Sequence, residues 1–168
     1  MRVLNTVKDS ANYPRLKQSL DYQFRKKQLT VSSIIAGAYL VFAILFTCIG
    51  SSRRGTEFAL FQGLVLSLVA LGYWIYTVYE LAELFFHINS YHFFEARLDQ
   101  PHIESGRYSS HARFTVTFQD RSGNQLSRAT AAMFSSDRKP FFEDYNNQTV
   151  LLGYNKESDL LVVLHRVT

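Results

Sequence analysis

Five histidines, His87, His92, His102, His111 and His165, are the side chains best suited by type to hold a metal or move a proton near neutral pH. A zinc centre needs three or four ligands at short spacings, and these histidines form no HExxH or comparable pair. Glu83 and His87 lie four apart, on one face of any helix that carries both. Two ligands are too few for a dedicated metal site, so an ordinary helical pair is the simpler reading. Ser135-Ser136-Asp137 lacks the glycines of a nucleophile elbow, and the single cysteine, Cys48, falls inside an apolar run. No GxGxxG or P-loop is present to cradle phosphates. Asn147-Gln148-Thr149 fits the glycosylation pattern, but it falls in a segment expected to be a cytoplasmic turn. These residues imply no catalytic centre, no metal and no cofactor. Binding is the chemistry left to the chain.

The residues best suited to binding are Arg138, Lys139, Phe141, Phe142 and Tyr145, a basic and aromatic cluster in a stretch expected to be a short helix or a long loop. Such a cluster suits a protein partner or lipid headgroups, and the same aromatics would serve equally well as core. Nucleic acid is excluded as the main ligand by where the charge lies. The 168 residues carry 18 Lys and Arg against 14 Asp and Glu, a net charge of +4. Seven of the basic residues (Arg2, Lys8, Arg15, Lys17, Arg25, Lys26 and Lys27) precede residue 31, against only Asp9 and Asp21. The remainder of the chain is balanced, with no clustered basic face for a phosphate backbone.

The elements that must position these residues begin with two apolar runs. Val31–Gly50 and Phe58–Tyr79 are free of charge, and roughly 20 residues at 1.5 Å each span a hydrocarbon core. Only residues 51–57 join them, so the runs are expected to form an antiparallel transmembrane hairpin. Seven basic residues before the first span outweigh Arg53 and Arg54 in the hairpin loop, which places both termini in the cytoplasm. Ser33 with Gly37, and Gly63 with Ser67, are small pairs four apart that would let the helices approach closely. Neither span carries an ionisable residue or a proline at mid-depth, which argues against a transport pathway. Gln62, Ser67 and Thr47 are the polar side chains that an oligomeric pore would use. Tyr73, Trp74, Tyr76 and Tyr79 form an aromatic belt at the cytoplasmic end of the second span.

Residues 1–30 form a basic amphipathic segment. Pro14 suits the start of a helix over about 14–28, and Leu16, Leu20 and Phe24 recur every four residues along it. With Arg25, Lys26 and Lys27 beside it, the stripe is expected to lie on the anionic cytoplasmic leaflet, the alternative being that it packs on the C-terminal domain. About thirty polar residues precede the first apolar run, so no cleaved signal peptide is expected. The lone cysteine forbids an internal disulfide and fits a reducing compartment.

Residues 88–168 change to short runs with period two. Strands are expected at Tyr91–Leu98, Ala112–Gln119, Leu126–Phe134, Thr149–Tyr154 and Leu160–Val167, with Phe93, Phe94 and Phe134 in the core. Asp120–Asn124 and Asn155–Asp159 read as hairpin loops. The fold class is therefore α+β: a two-helix transmembrane hairpin followed by a small five-stranded β domain, either an OB-like or SH3-like barrel or an open antiparallel sheet.

FFEARL at the first strand, ARFTVTFQDRSGNQ, and the late TVLLGYNKESDLLVVL carry a resemblance. Together with the two spans they resemble uncharacterised bacterial inner-membrane proteins in which a small β domain follows two N-terminal helices. Val150, Leu152, Tyr154 and the turn through Asp159 carry most of it, although Asn155-Lys156 stands where that group often has an acidic residue and a proline. The resemblance implies a fold and a bacterial inner-membrane address, with no chemistry. The expected function is a non-enzymatic, membrane-anchored interaction module. Its cytoplasmic β domain would bind a protein partner in a regulatory, exclusion or immunity-type role. The partners expected of the chain as a whole are membrane lipids and either a protein partner or further copies in a homo-oligomer. The alternative is a ligand-sensing effector that oligomerises through its helices and perturbs the bilayer.

Overall fold

The structure, a computed structural model, describes residues 7, 10–50, 56–105, 110–120, 122–131, 134–135 and 141–167. The chain divides into two compact units, Arg25–Glu83 and a second made of Met1–Phe24 together with Leu84–Thr168. Helix α1 is Tyr13–Gln18, α2 is Leu20–Gly50 and α3 is Thr56–Glu83. The joining residues 51–55, Arg53 and Arg54 among them, lie outside the described residues.

In the helical unit, α2 and α3 have 31 and 28 residues, or about 46 and 42 Å at 1.5 Å per residue. Leu20–Leu45 and Gly63–Glu83 are each long and apolar enough to cross a membrane. Their side chains are not covered: Ile34 is 67% and Val69 64% exposed. The two helices meet through polar groups. The buried hydroxyls of Ser32 and Thr77 share a 2.8 Å hydrogen bond, and Trp74 Nε1 donates to Ser33 Oγ at 2.9 Å. Arg25 Nη1 donates to Glu83 Oε2 at 2.9 Å and to the Glu80 carbonyl.

The expected small-residue contact does not form. A Cβ built on Gly37 or Gly63 meets nothing within 4 Å, and Ser67 Oγ donates to the Gly63 carbonyl of its own helix. Of the four residues expected to pack the helices, Ser33 alone is seen to do so, as a hydrogen-bond acceptor. The Glu83–His87 helical pair is also corrected. Helix α3 ends at Glu83, and His87 is left-handed with φ 51° at the entrance to a 3₁₀ turn, Ile88–Ser90. Glu83 pairs with Arg25 instead.

The second unit is built from eight antiparallel strands among the described residues: β1 (Tyr91–Leu98), β2 (His102–Ser105), β3 (Ser110–Arg113), β4 (Thr115–Gln119), β5 (Gln125–Ala129), β6 (Phe134–Ser135), β7 (Gln148–Asn155) and β8 (Leu160–Arg166). They form open sheets ordered β1-β7-β8, β2-β3-β6 and β4-β5, not a closed barrel. The expected strand Ala112–Gln119 is two strands in two sheets. At the corner Phe114 is fully buried, its N–H donating to Thr130 Oγ1 at 3.0 Å and its carbonyl accepting the Thr130 N–H at 2.9 Å. The expected strand Leu126–Phe134 likewise divides into β5 and β6.

The core is aromatic and aliphatic: Phe114 meets Phe134 edge-on at 5.2 Å, and Phe118 lies between Phe94 at 4.5 Å and Tyr154 at 4.9 Å. Phe93 is half-buried, with the Arg15 guanidinium over its ring at 5.3 Å. Gly153 is opposite Phe93, and a Cβ there would sit 2.9 Å from the Phe93 ring, so any larger residue would have to displace that ring.

The N-terminal segment belongs to this domain. Its apolar stripe, expected on the membrane surface, packs on protein instead: Leu16 is fully buried, and Leu20 and Phe24 lie against the sheet core. Residues 161–164 of β8 are all buried, where a strand covered on one face would alternate, and α1 lies against that strand. Asn12 Nδ2 donates to the Ile88 carbonyl at 2.9 Å, and the Tyr13 and Tyr22 rings pack on Phe85. The single helix expected over 14–28 is broken at Ser19, which is extended at ψ 151°. Ser19 Oγ accepts the Tyr22 N–H at 3.1 Å, the N-cap bond that starts α2.

Candidate functional site

Two places on the β domain present polar groups or open backbone to a ligand. The first is a cleft of about 250 Å³ whose walls come from three separate stretches of chain. Asn89, Ser90 and His92 enter from the 3₁₀ turn and the start of β1, Asp120 and Ser122 from the β4–β5 loop, and Tyr154, Lys156 and Glu157 from the β7–β8 turn. Each turn is built by local chemistry. Asp120 Oδ1 accepts the N–H groups of Ser122 at 2.7 Å and Asn124 at 3.0 Å, and Gly123 supplies the left-handed φ of 82°. Asn155 is fully buried, its Nδ2 donating to the Phe86 carbonyl at 2.9 Å and its Oδ1 accepting the Glu157 N–H at 3.1 Å.

The electrostatics favour the charged form of Asp120 in the cleft and of Asp159 beside it. Burial raises the Asp120 carboxyl, but the Asn124 and Ser122 N–H groups and the Lys156 ammonium, 3.6 Å from Oδ2, more than offset it and hold the group below its usual value. Asp159, beside the cleft with φ 50°, accepts Arg128 Nε and the Tyr154 hydroxyl, both at 2.7 Å. The Arg128 guanidinium, with help from Tyr154, lowers the Asp159 carboxyl, while burial and then Asp159 raise the Tyr154 phenol. Near neutral pH these are two fixed carboxylates and an un-ionised phenol, an arrangement for holding a polar ligand. Among the described residues no three His, Cys, Asp or Glu side chains converge as metal ligands do.

The second place is β2. Among the described residues it pairs on one side only, with β3, and lies at the edge of its sheet. All four of its side chains are exposed, so neither face is covered. Ile103, at 46% exposure, is one of three large apolar side chains left exposed among the described residues of this unit, with Phe86 and Val167. The opposite situation holds at β8, an edge of the other three-stranded sheet: there the Asp21 carboxylate accepts the Val163 N–H at 2.7 Å. Among the described residues the β8 edge is blocked at Val163 and the β2 edge is not.

Of the five residues expected to bind a partner, the structure describes three. Arg138 and Lys139 lie outside the described residues. Tyr145 is buried against Phe134 at 5.1 Å, with the Arg166 guanidinium over its ring at 4.8 Å, and Phe142 packs on the same core. Phe141 is half-buried. Phe142 and Tyr145 thus belong to the core. At the foot of the helices Arg25 is taken up by Glu83, whereas Lys26 and Lys27 are exposed. Sequence pattern marks His92 only as a scattered histidine and Tyr154 only through the resemblance, and does not join them into a cleft, because stretches about thirty residues apart give no local pattern. Comparison with protein-family models, with curated proteins and with solved structures finds no match for this chain.

Proposed function

We propose that this protein is a membrane-anchored, non-enzymatic interaction module. Helices α2 and α3 cross a bacterial inner membrane as a hairpin, and the β domain on the cytoplasmic side binds a protein partner. Such a module suits a regulatory, exclusion or immunity-type role. The uncovered apolar side chains of α2 and α3 support insertion, because an aqueous protein rarely leaves so large an apolar surface exposed. The N-terminal segment and the β domain share one core, so both lie on the same side of any bilayer, as an even number of spans requires. Exposed Lys26 and Lys27 favour the cytoplasmic side.

The observation that carries protein binding is the open edge of β2, where an extended segment can add as a further strand through its main-chain groups. The experiment is quantitative mass spectrometry of proteins co-purifying from native membranes with the full chain and with Ile103→Lys. A partner retained by the first and lost by the second supports the reading. Identical profiles, with the variant still folded, reject β2 as the binding edge. A C-terminal reporter active only outside the cytoplasm would overturn the topology.

The polar cleft favours a second reading, a ligand-sensing effector whose helices oligomerise and perturb the bilayer. It is distinguished by growth arrest on overexpression, which an interaction module does not produce.

A further inference from the structure

We infer that the strand added to the β2 edge is β2 of a second copy of this chain, paired antiparallel about a two-fold axis at Ile103. The inference rests on the interaction-module reading and names the partner that reading leaves open. A two-fold axis brings the same patch of both copies together, so the patch must be complementary to itself. With Ile103 opposite Ile103, His102 of each strand faces Glu104 of the other, and the sequence His102-Ile103-Glu104 is complementary about its own centre. Shifting the register by one residue sets Ile103 against Glu104 and loses both matches. His102 and Glu104 are both exposed, and Glu104 Oε1 lies 3.8 Å from Arg113 Nε on the neighbouring strand.

The pairing also accounts for what β2 lacks. Among the described residues β2 has no bulge, lysine or covering element at its edge, and although the strand is short, follows Pro101 and carries Glu104, an isoleucine is exposed at its centre. Four residues of strand make a small contact. Two copies confined to one membrane by their helices meet at a raised effective concentration, which lets a small contact suffice.

The test uses full-length chains in native membranes with Cys48→Ser as background. Residues directly opposite in an antiparallel pair have Cβ atoms about 4.5–5.5 Å apart, near the range a disulfide bridges. His102 lies two residues from its own symmetry mate along the strand, roughly 6.6 Å of further separation, and so does Glu104.

Mild oxidation is therefore expected to cross-link Ile103→Cys into a dimer. His102→Cys alone and Glu104→Cys alone should give little, and co-expression of those two should restore the cross-link. Ile103→Arg, tested by native mass spectrometry in detergent, should shift the protein from dimer to monomer. Equal cross-linking at all three positions, or none at Ile103→Cys, overturns the proposal. If Ile103→Cys stays monomeric while a different protein is retained through β2, the second-copy proposal falls and the interaction module stands. If neither is found, both fall.

Discussion

The carboxylate of Asp21, in the first turn of α2, accepts the backbone N–H of Val163 in β8 at 2.7 Å, joining residues 142 positions apart in the chain. Both partners are buried, and β8 is the outer strand of its sheet. The side chain thus does for the sheet edge what another strand would do, and it ties the N-terminal segment to the domain. Asp21→Ala removes a hydrogen bond to a charged acceptor and leaves a buried N–H without it, so a loss of about 2 kcal/mol is expected. Denaturant unfolding followed by near-UV signals of the β-domain aromatics, with the protein in detergent micelles, measures it.

Leu16 separates a segment packed on protein from one resting on lipid. It is fully buried, and Leu→Ala at such a position typically destabilises by about 2–5 kcal/mol. A drop of that size in the stability of the β domain is expected. An unchanged stability, accompanied by weaker adhesion of the N-terminal segment to vesicles, would contradict the packing.

The acid side of the stability curve should report the Arg128–Asp159–Tyr154 network. The Arg128 guanidinium, then the Tyr154 hydroxyl, hold the folded Asp159 carboxyl below the usual 3.8. The folded state therefore binds the proton less readily than the unfolded chain. This contribution is fully present above the usual value and is lost as pH falls through the lowered one. Asp159→Asn should flatten that part of the acid limb and leave stability above about pH 6 lower by under ~1 kcal/mol, since the ion pair is largely exposed. Unfolding midpoints taken from neutral pH downward give the comparison.

Between the helices, the Ser32–Thr77 hydrogen bond is the most protected polar contact, with both residues 1% exposed. Thr77→Val keeps the side-chain shape and removes the hydroxyl. Hydrogen bonds between membrane helices are worth about 0.6 kcal/mol on average and up to about 1.7, so a loss within that range is expected from reversible unfolding in bicelles. Gly37→Ala, which would meet no neighbouring atom, should leave the same measurement unchanged.

Much of the architecture is legible in the sequence, and what is not has physical reasons. The span of β1 and the loops at Asp120–Asn124 and Asn155–Asp159 emerge as expected, because alternation and turn chemistry are local properties. The corner at Phe114 is hidden because Ala112, Phe114, Val116 and Phe118 stay buried in strict alternation straight through it. Only a tertiary contact, the Thr130 hydroxyl on the Phe114 N–H, shows the chain changing sheets. The stripe of Leu16, Leu20 and Phe24 says that an apolar surface is needed, and a bilayer and a β sheet satisfy that need equally. Phe142 and Tyr145 follow the same logic, since an aromatic in a loop has the same composition whether it faces in or out. The cleft is the least legible feature, because Asn89, Asp120 and Lys156 are brought together only by the finished topology.

The bond between Asp21 and Val163 also sets an order of events during synthesis. At 5–20 residues per second, roughly seven seconds or more separate the making of Asp21 from that of Val163. Both apolar helices are complete well before β8 exists. Through that interval Leu16 and Phe24 have no sheet to bury them, and the domain closes only when the final strand leaves the ribosome. A chain stopped short of Leu160 would carry both apolar helices and an N-terminal segment without the strand that Asp21 binds, which makes β8 a checkpoint for the fold of this unit.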